Sequence, residues 1–499
     1  MTRAAPRFDL LRLPGLRGFL RWRYARFALQ VPLFLVALLA VYDGFTGRQI
    51  APVNTATVSV WVHYRGLVAL AIAVAGNLFC AACPLMLTRG PTRFLKRFVP
   101  EFQFPRVLRN KYTVLAMTAF FLFSYEHFDL WASPWLTAWL VIAYFAAALL
   151  FDTFFPAGTF CKYVCPLGNF NFALSQSAPT QITAVNSSIC QSCEGKYCLN
   201  GREETATTRQ PLSGHRGEHV RLEVGGSGFG NRESGIETSG FLLKADRPAR
   251  GVFPGCETDL FVPTMQSNQD CTLCLNCVRA CPYDNVALEV RSPLREAETV
   301  RPRADWAWFV VVLTWAGLMN AFAMIPPYFA VAAWLSGVLG TRDEALLLLV
   351  IQVVGIGAGV ALTLGAARLS ARGQTASPLR DWIGVLLPLA LAAWGGHYLF
   401  HFVTGYETLL PNAVTALNRL GLNLPAIPLP AATRGDGIFL YQVVISYAAL
   451  FGSLWVAYRK AARGLVLRLV PQVLLALMFN TLTLLIFSQP MQARGSLLP

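Results

Sequence analysis

Long apolar runs punctuate the chain. FALQVPLFLVALLAVY, WLTAWLVIAYFAAALLF and VLLALMFNTLTLLIF match the run of about 20 apolar residues that crosses a bilayer core. By this pattern about nine spans follow, near 28–45, 64–86, 112–130, 134–155, 306–330, 344–366, 382–404, 437–457 and 465–488. Between the fourth and fifth lies a polar block, roughly 175–303, that cannot sit in a membrane. Ahead of the first span, MTRAAPRFDLLRLPGLRGFLRWRYARF has no short apolar core with a small-residue cleavage site, so it does not read as a cleavable signal peptide. Its arginines alternate with Leu, Phe and Trp, the pattern of a basic segment lying at a membrane surface. The organisation expected is a surface segment over 1–27, two transmembrane hairpins over 28–174, an inserted domain over 175–303 and a five-span bundle over 304–499.

Composition agrees. Of 499 residues 55% are hydrophobic and only 14% charged, with mean hydropathy +0.46; a soluble chain of this length carries more charge. The net charge of +15 comes from basic connections between spans, and no nucleic-acid module is visible. Arg89, Arg93, Lys96, Arg97, Arg106, Arg109 and Lys111 crowd the second connection. Arg368, Arg372 and Arg380 crowd the sixth, and Arg459, Lys460, Arg463 and Arg468 the eighth. The positive-inside rule then makes these loops, the N-terminus and the polar block cytoplasmic. Thiols stay reduced in the cytosol, so the twelve cysteines read as ligands rather than disulfides.

Cysteine spacing carries the chemistry. Residues 270–290, DCTLCLNCVRACPYDNVALEV, read C-x2-C-x2-C-x3-C-P with Cys271, Cys274, Cys277, Cys281 and Pro282. That is the ligand run of a bacterial-type [4Fe–4S] ferredoxin loop, whose fourth cysteine ligates the other cluster of a pair. Zinc sites prefer two separated pairs. The run therefore demands four more cysteines, and Cys190, Cys193, Cys198 and Cys256 supply them. The crossing rule assigns Cys190, Cys193, Cys198 and Cys281 to one cubane, and Cys271, Cys274, Cys277 and Cys256 to the second. The first run is C-x2-C-x4-C, and Cys256 is followed by Glu257 instead of proline. Residues 199–255, rich in Gly, Arg and Glu, read as a loop or small hairpin insertion without chemistry, and His215 and His219 within it as solvated.

The other four cysteines lie in two similar motifs, AGNLFCAACPLML and PAGTFCKYVCPLGNF. Cys80 and Cys83 are i, i+3 and Cys161 and Cys165 are i, i+4, so each pair shares a helix face before Pro84 and Pro166 break the ladder. The first four spans thus form two repeated hairpins ending in Cys–Cys–Pro, and a pseudo-twofold arrangement gathers four thiols. Three readings fit: a third iron–sulfur or iron centre, a redox-active dithiol pair, or small side chains packing a helix junction.

The Cys–Cys–Pro hairpins followed by an eight-cysteine block resemble the membrane polyferredoxins. These are the quinol-dehydrogenase-type electron donors of periplasmic nitrate and nitrous oxide reduction, and the copper-oxidase assembly ferredoxins. The likeness covers roughly residues 60–295. The family's hairpin motif is C-x3-C-P, which Cys161–Cys165–Pro166 matches and Cys80–Cys83–Pro84 misses by one residue; residues 304–499 have no counterpart. The resemblance implies membrane-bound electron transfer, often with quinol, in a bacterial inner membrane. Partners would be other electron-transfer proteins such as a cytochrome c or a ferredoxin.

Four histidines remain, His63, His127, His397 and His401, near the outer ends of the second, third and seventh spans. Ionisable groups in a membrane are functional candidates. His397 and His401 in GGHYLFHF share a face, and Gly395 and Gly396 leave room for a flat ligand. A quinol site, a haem site and plain interfacial histidines are the three readings.

The expected fold is a polytopic α-helical membrane protein with an inserted α+β two-cluster ferredoxin-like domain. The expected function is electron transfer between the quinone pool and protein partners through two [4Fe–4S] clusters, within a larger complex. The alternatives are a metal-centre assembly or metal-reducing factor, and a membrane anchor relaying electrons for a partner. No Gly-rich turn for a nucleotide or flavin is present.

Overall fold

The computed structural model describes residues 8–22, 24–203, 252–373, 375–429, 437–461 and 466–491. In chain order the bundle helices are α1 (Ala25–Thr46), α2 (Thr55–Ala75), α3 (Lys111–His127), α4 (Pro134–Phe154), α5 (Ala304–Phe322), α6 (Glu344–Ala371), α7 (Leu386–Gly405), α8 (Ile438–Ala461) and α9 (Val470–Phe487). Among the described residues eight helical stretches are long and apolar enough to cross a membrane, the makeup of a multi-pass membrane protein. Only α3, at 17 residues, falls short of that length. It nevertheless runs beside α5 over the same depth. Lys111 N donates to Asp305 Oδ2 at 2.9 Å at one end, and Asn320 Nδ2 donates to Glu126 Oε1 at 2.8 Å at the other.

Two spans depart from the hydropathy pattern. The second begins at Thr55 rather than near 64 and ends at Gly76, whose φ of 77° suits a residue without Cβ. Its polar interruption, Arg65, is inside the helix and buried. The guanidinium lies 4.6 Å from the Trp61 ring, 4.5 Å from Tyr125 and 5.2 Å from Tyr398, and Nη1 donates to Tyr125 Oη. Three aromatic faces offset the loss of water, so a charge that breaks the hydropathy run does not break the helix. The fifth span ends at Phe322 instead of near 330. Pro326 and Pro327, which cannot donate to the ladder, open a separate helix, Pro326–Leu339.

Helix α7 is the hub: α2, α5, α8 and α9 all pack on it, and Trp394, His397 and Tyr398 are buried along it. Against one end of the bundle sits the polar block. Its strands β1 (Thr180–Ala184) and β2 (Val286–Val290) pair antiparallel, Thr180 opposite Val290 and Ala184 opposite Val286. They bracket both cysteine runs. Residues 204–251 lie outside the described residues, and His215 and His219 with them; the flanking pairs Arg202–Glu203 and Val252–Phe253 are antiparallel.

The basic N-terminal segment, expected at the membrane surface, packs on this block. Val290 N donates to Phe8 O at 2.9 Å, Leu11 enters the block's small core, and Arg17 and Arg21 both pair with Asp284. Carboxylate pairing draws the arginines to the block, while Leu13, Phe19 and Trp22 on the same short segment stay exposed.

Buried polar bonds hold block to bundle. Arg291 Nη2 and Glu296 Oε2 are 2.8 Å apart, both side chains 1% exposed. Glu296 also accepts from Gln176 Nε2 at 2.8 Å and Asn268 N at 3.0 Å, and Gln176 Oε1 accepts from Trp306 Nε1 of α5 at 3.1 Å. Removing one partner of such a buried pair leaves an uncompensated charge. Glu296→Gln is expected to cost about 3–5 kcal/mol in denaturant unfolding of the detergent-solubilised protein; a cost below about 1 kcal/mol, the worth of a surface pair, would show the network is not buried.

Candidate metal centres

The 271–281 run folds as a tight cradle. Asp270, Leu273 and Leu275 take left-handed backbone angles, with φ of 61°, 50° and 58°. Leucine rarely tolerates that region, and alternating hands turn successive N–H groups inward as an anion-binding nest. Cys256, Cys271, Cys274 and Cys277 line one small cavity together with Ile182, Leu260 and Val262. Leu260 N donates to Cys256 Sγ at 3.3 Å, and backbone N–H groups of Leu273 and Asn276 serve Cys271 and Cys274. Burial, then the neighbouring thiols Cys274, Cys256 and Cys271, push the Cys277 thiol well up. Thiols so raised hold their protons at neutral pH, and a bound metal must displace them.

A second group forms from Cys190, Cys193, Cys198 and Cys281. Asn285 joins the two runs, its Nδ2 donating to Cys190 Sγ at 3.1 Å and its backbone N to Cys281 Sγ at 3.5 Å. Burial, with Cys190, Cys281 and Cys193 adding to it, pushes Cys198 up to about 11. The two groups touch: Cys256 N donates to Cys198 O at 3.0 Å. This group is the outer one. All four cysteines are half-buried, and Tyr283 beside them is 41% exposed.

The third group joins the hairpins. Cys80 sits in the short helix Leu78–Ala82 with Cys83 just past it, and Cys161 in the π-helical turn Phe160–Val164 with Cys165 just past it. The π turn, marked by Cys165 N donating to Phe160 O at 2.8 Å, has more residues per turn than the α-helix. The one-residue difference between the motifs is taken up there, and both pairs come round to a single face. Burial and neighbouring thiols push Cys165 up to about 12; burial pushes Cys83 up to about 11 against the pull of Arg26 and Arg89. Between this group and Cys256 lies Glu257, paired with both Arg26 and Arg89, and Arg89 also with Asp152 at 3.5 Å. Burial works upward on the Glu257 carboxyl, but the two guanidiniums outweigh it and hold it at about 2.

All twelve cysteines are unpaired and fall into three sets of four. Among the described residues no three His, Cys, Asp or Glu side chains converge closely enough to hold a single metal ion.

The histidines do not act together. The ring nitrogens of His63 face two carbonyls, Val58 O at 3.0 Å from Nδ1 and Tyr406 O at 2.8 Å from Nε2, with the tautomer deciding which nitrogen donates, and so link α2 to the end of α7. His127 stacks on Phe123 at 5.5 Å at the end of α3. His397 is fully buried, and among the described residues neither of its ring nitrogens nor His401 Nε2 has a hydrogen-bond partner. Their rings lie 4.8 Å apart. Tyr398 beside them reaches Arg65 and, at 6.1 Å, Phe170 of the helix following Cys165. Tyr64, next to Arg65, packs at 4.5 Å on Phe79, next to Cys80.

The hydropathy pattern missed Arg65 as a site residue, and cysteine spacing gave no notice of Asn77, Asn171, Arg26 or Arg89. In hindsight the Asn residues have a signal: Asn77 lies three before Cys80, and Asn169 and Asn171 follow Pro166. In comparison with known proteins, no family model, no curated protein and no solved structure matches this chain. Cys256→Ser is expected to lose one cluster, about four irons, by iron analysis and EPR of anaerobically purified protein; two intact cubanes in that variant would refute its place in the cavity.

Proposed function

We propose that this chain is a membrane-bound iron–sulfur electron-transfer protein, carrying electrons between a membrane quinone and a redox protein that docks on the polar block. The block reads as a two-cluster ferredoxin-like domain, and the basic loops favour a cytoplasmic position for it. The observation that carries the reading is the cavity lined by Cys256, Cys271, Cys274 and Cys277. These are the four cysteines that the crossing rule of two-cluster ferredoxins puts together, and two chain segments are needed to supply them. When bound, each cubane supplies one-electron transfer.

The chain's own residues supply the rest. The left-handed cradle aims N–H groups at the sulfurs, and such bonds tune cluster potential. Leu260, Val262 and Ile182 keep water off the inner set. The outer set, beside exposed Tyr283, is the face offered to a protein partner.

A quinol must shed two protons with its two electrons, and His397 and His401 are positioned to take them. Their open ring nitrogens are acceptors in a dry setting, and Arg65 supplies a fixed positive charge nearby. Two rings 4.8 Å apart on one helix leave no room for a macrocycle between them, which favours a quinone over a haem ligated by both. Phe170 and Tyr398, and Phe79 and Tyr64, fill the space between this pair and the hairpin thiols.

The test uses anaerobically purified full-length protein and a quinol analogue such as duroquinol. Exchange of electrons between the analogue and the clusters is expected. Cys271→Ser should abolish it, and His397→Ala should slow it by about 10²-fold with iron content unchanged. Intact clusters that exchange with neither quinol nor quinone would overturn the reading.

A further inference from the structure

Two-cluster relays leave the hairpin cysteines without a task, yet these four side chains have the surroundings of a site. They come from segments 80 residues apart in sequence, judged from Cys80 to Cys161, roughly, and the structure interlocks them. Asn171, past the second motif, sends its Nδ2 back to Cys80 Sγ of the first at 3.5 Å. Leu85, just past Cys83, packs in one apolar cluster with Cys161 and Cys165.

Each sulfur environment is directed. Gly168 N donates to Cys165 Sγ at 3.2 Å. The Asn77 side chain also serves Cys80, and the Leu85 backbone serves Cys83. A Cβ on Gly168 would lie 3.3 Å from Cys161 O and 3.6 Å from Cys165 Sγ, so a side chain there would press on the Cys161 carbonyl. Arg89, 18% exposed, stands beside the group with Arg26. Cysteines that merely pack a junction need neither N–H groups aimed at sulfur nor cations to offset negative charge. Four thiolates around iron carry net negative charge and use both.

We propose that Cys80, Cys83, Cys161 and Cys165 ligate a third iron–sulfur cluster, set between the membrane hairpins and the polar block. Four Cys thiols with N–H groups directed at their sulfurs are the ligand chemistry of an iron–sulfur cluster. Its place is between the other centres and the histidine pair. Asn77 Nδ2 donates to Cys271 O at 2.9 Å, so one side chain touches ligands of both sets. On the other flank Phe79 and Phe170 lead toward Tyr64 and Tyr398. A bilayer core is about 30 Å thick, and a centre here divides the distance between a quinone in the membrane and the clusters of the block. The proposal goes beyond the quinone reading and does not depend on it.

Iron and acid-labile sulfide of the anaerobically purified full chain, with Mössbauer spectra, provide the test. More iron than the about eight of two cubanes is expected, about ten for [2Fe–2S] or about twelve for a third [4Fe–4S]. The double variant Cys83→Ser/Cys165→Ser should lose that excess and keep the EPR signals of the other two clusters. Equal iron, about eight, in wild type and double variant overturns the proposal. If the double variant does not fold, Asn171→Ala serves: the loss of one N–H donor to Cys80 should lower the midpoint potential of a single EPR signal at unchanged iron content. No shift in any signal overturns the proposal. Excess iron without quinone exchange would sink the quinone reading alone.

Discussion

Buried charge at the seam between bundle and polar block governs the architecture. Glu257 holds Arg26 and Arg89, Lys111 Nζ reaches Asp270 and Asn169 Oδ1, and Arg291 holds Glu296. The Glu257 and Lys111 pairs join chain segments far apart in sequence, while Arg291 and Glu296 are five residues apart within the block. None of these groups tolerates burial alone, because an unpaired charge out of water is costly. The block therefore has one way to sit on the helices. That registration brings Glu257 toward Cys83 and Cys271 against Asn77. Buried ion pairs add little net stability over apolar packing; what they add here is a single arrangement.

Burial differs among the thiol sets. The outer set is half-buried, the cavity set has Cys274 and Cys277 buried, and the hairpin set has Cys165 buried. An interior, weakly hydrated centre and an exposed one differ in potential even with identical ligands, because solvent and N–H bonds stabilise the reduced, more negative form. The chain thus holds the same ligand type in three environments.

Much of this was legible in advance. The spacing from Cys271 to Cys281 drew attention to four further cysteines; the structure lines one cavity with Cys256, Cys271, Cys274 and Cys277 and links Cys190 and Cys281 through Asn285. The long spans were legible because twenty apolar residues have few alternatives. What escaped was polar. Arg65 interrupted an apolar run and displaced the reading of the second span, since hydropathy counts a charge but not the Trp61, Tyr125 and Tyr398 rings that face it. The partner of the N-terminal arginines, Asp284, also escaped, because it is more than 260 positions away in sequence. The π turn at Phe160–Val164, which accommodates the longer Cys161–Cys165 spacing, was also invisible in the motif.

The crossing of cysteines between runs bears on biogenesis. On the proposed ligand sets, Cys190, Cys193 and Cys198 emerge from the ribosome early but wait for Cys281, and Cys256 waits for Cys271, Cys274 and Cys277. Neither set could close until residue 281 has been synthesised, after the first four membrane helices. Metal delivery to the block would thereby be held back until the hairpin thiols already exist.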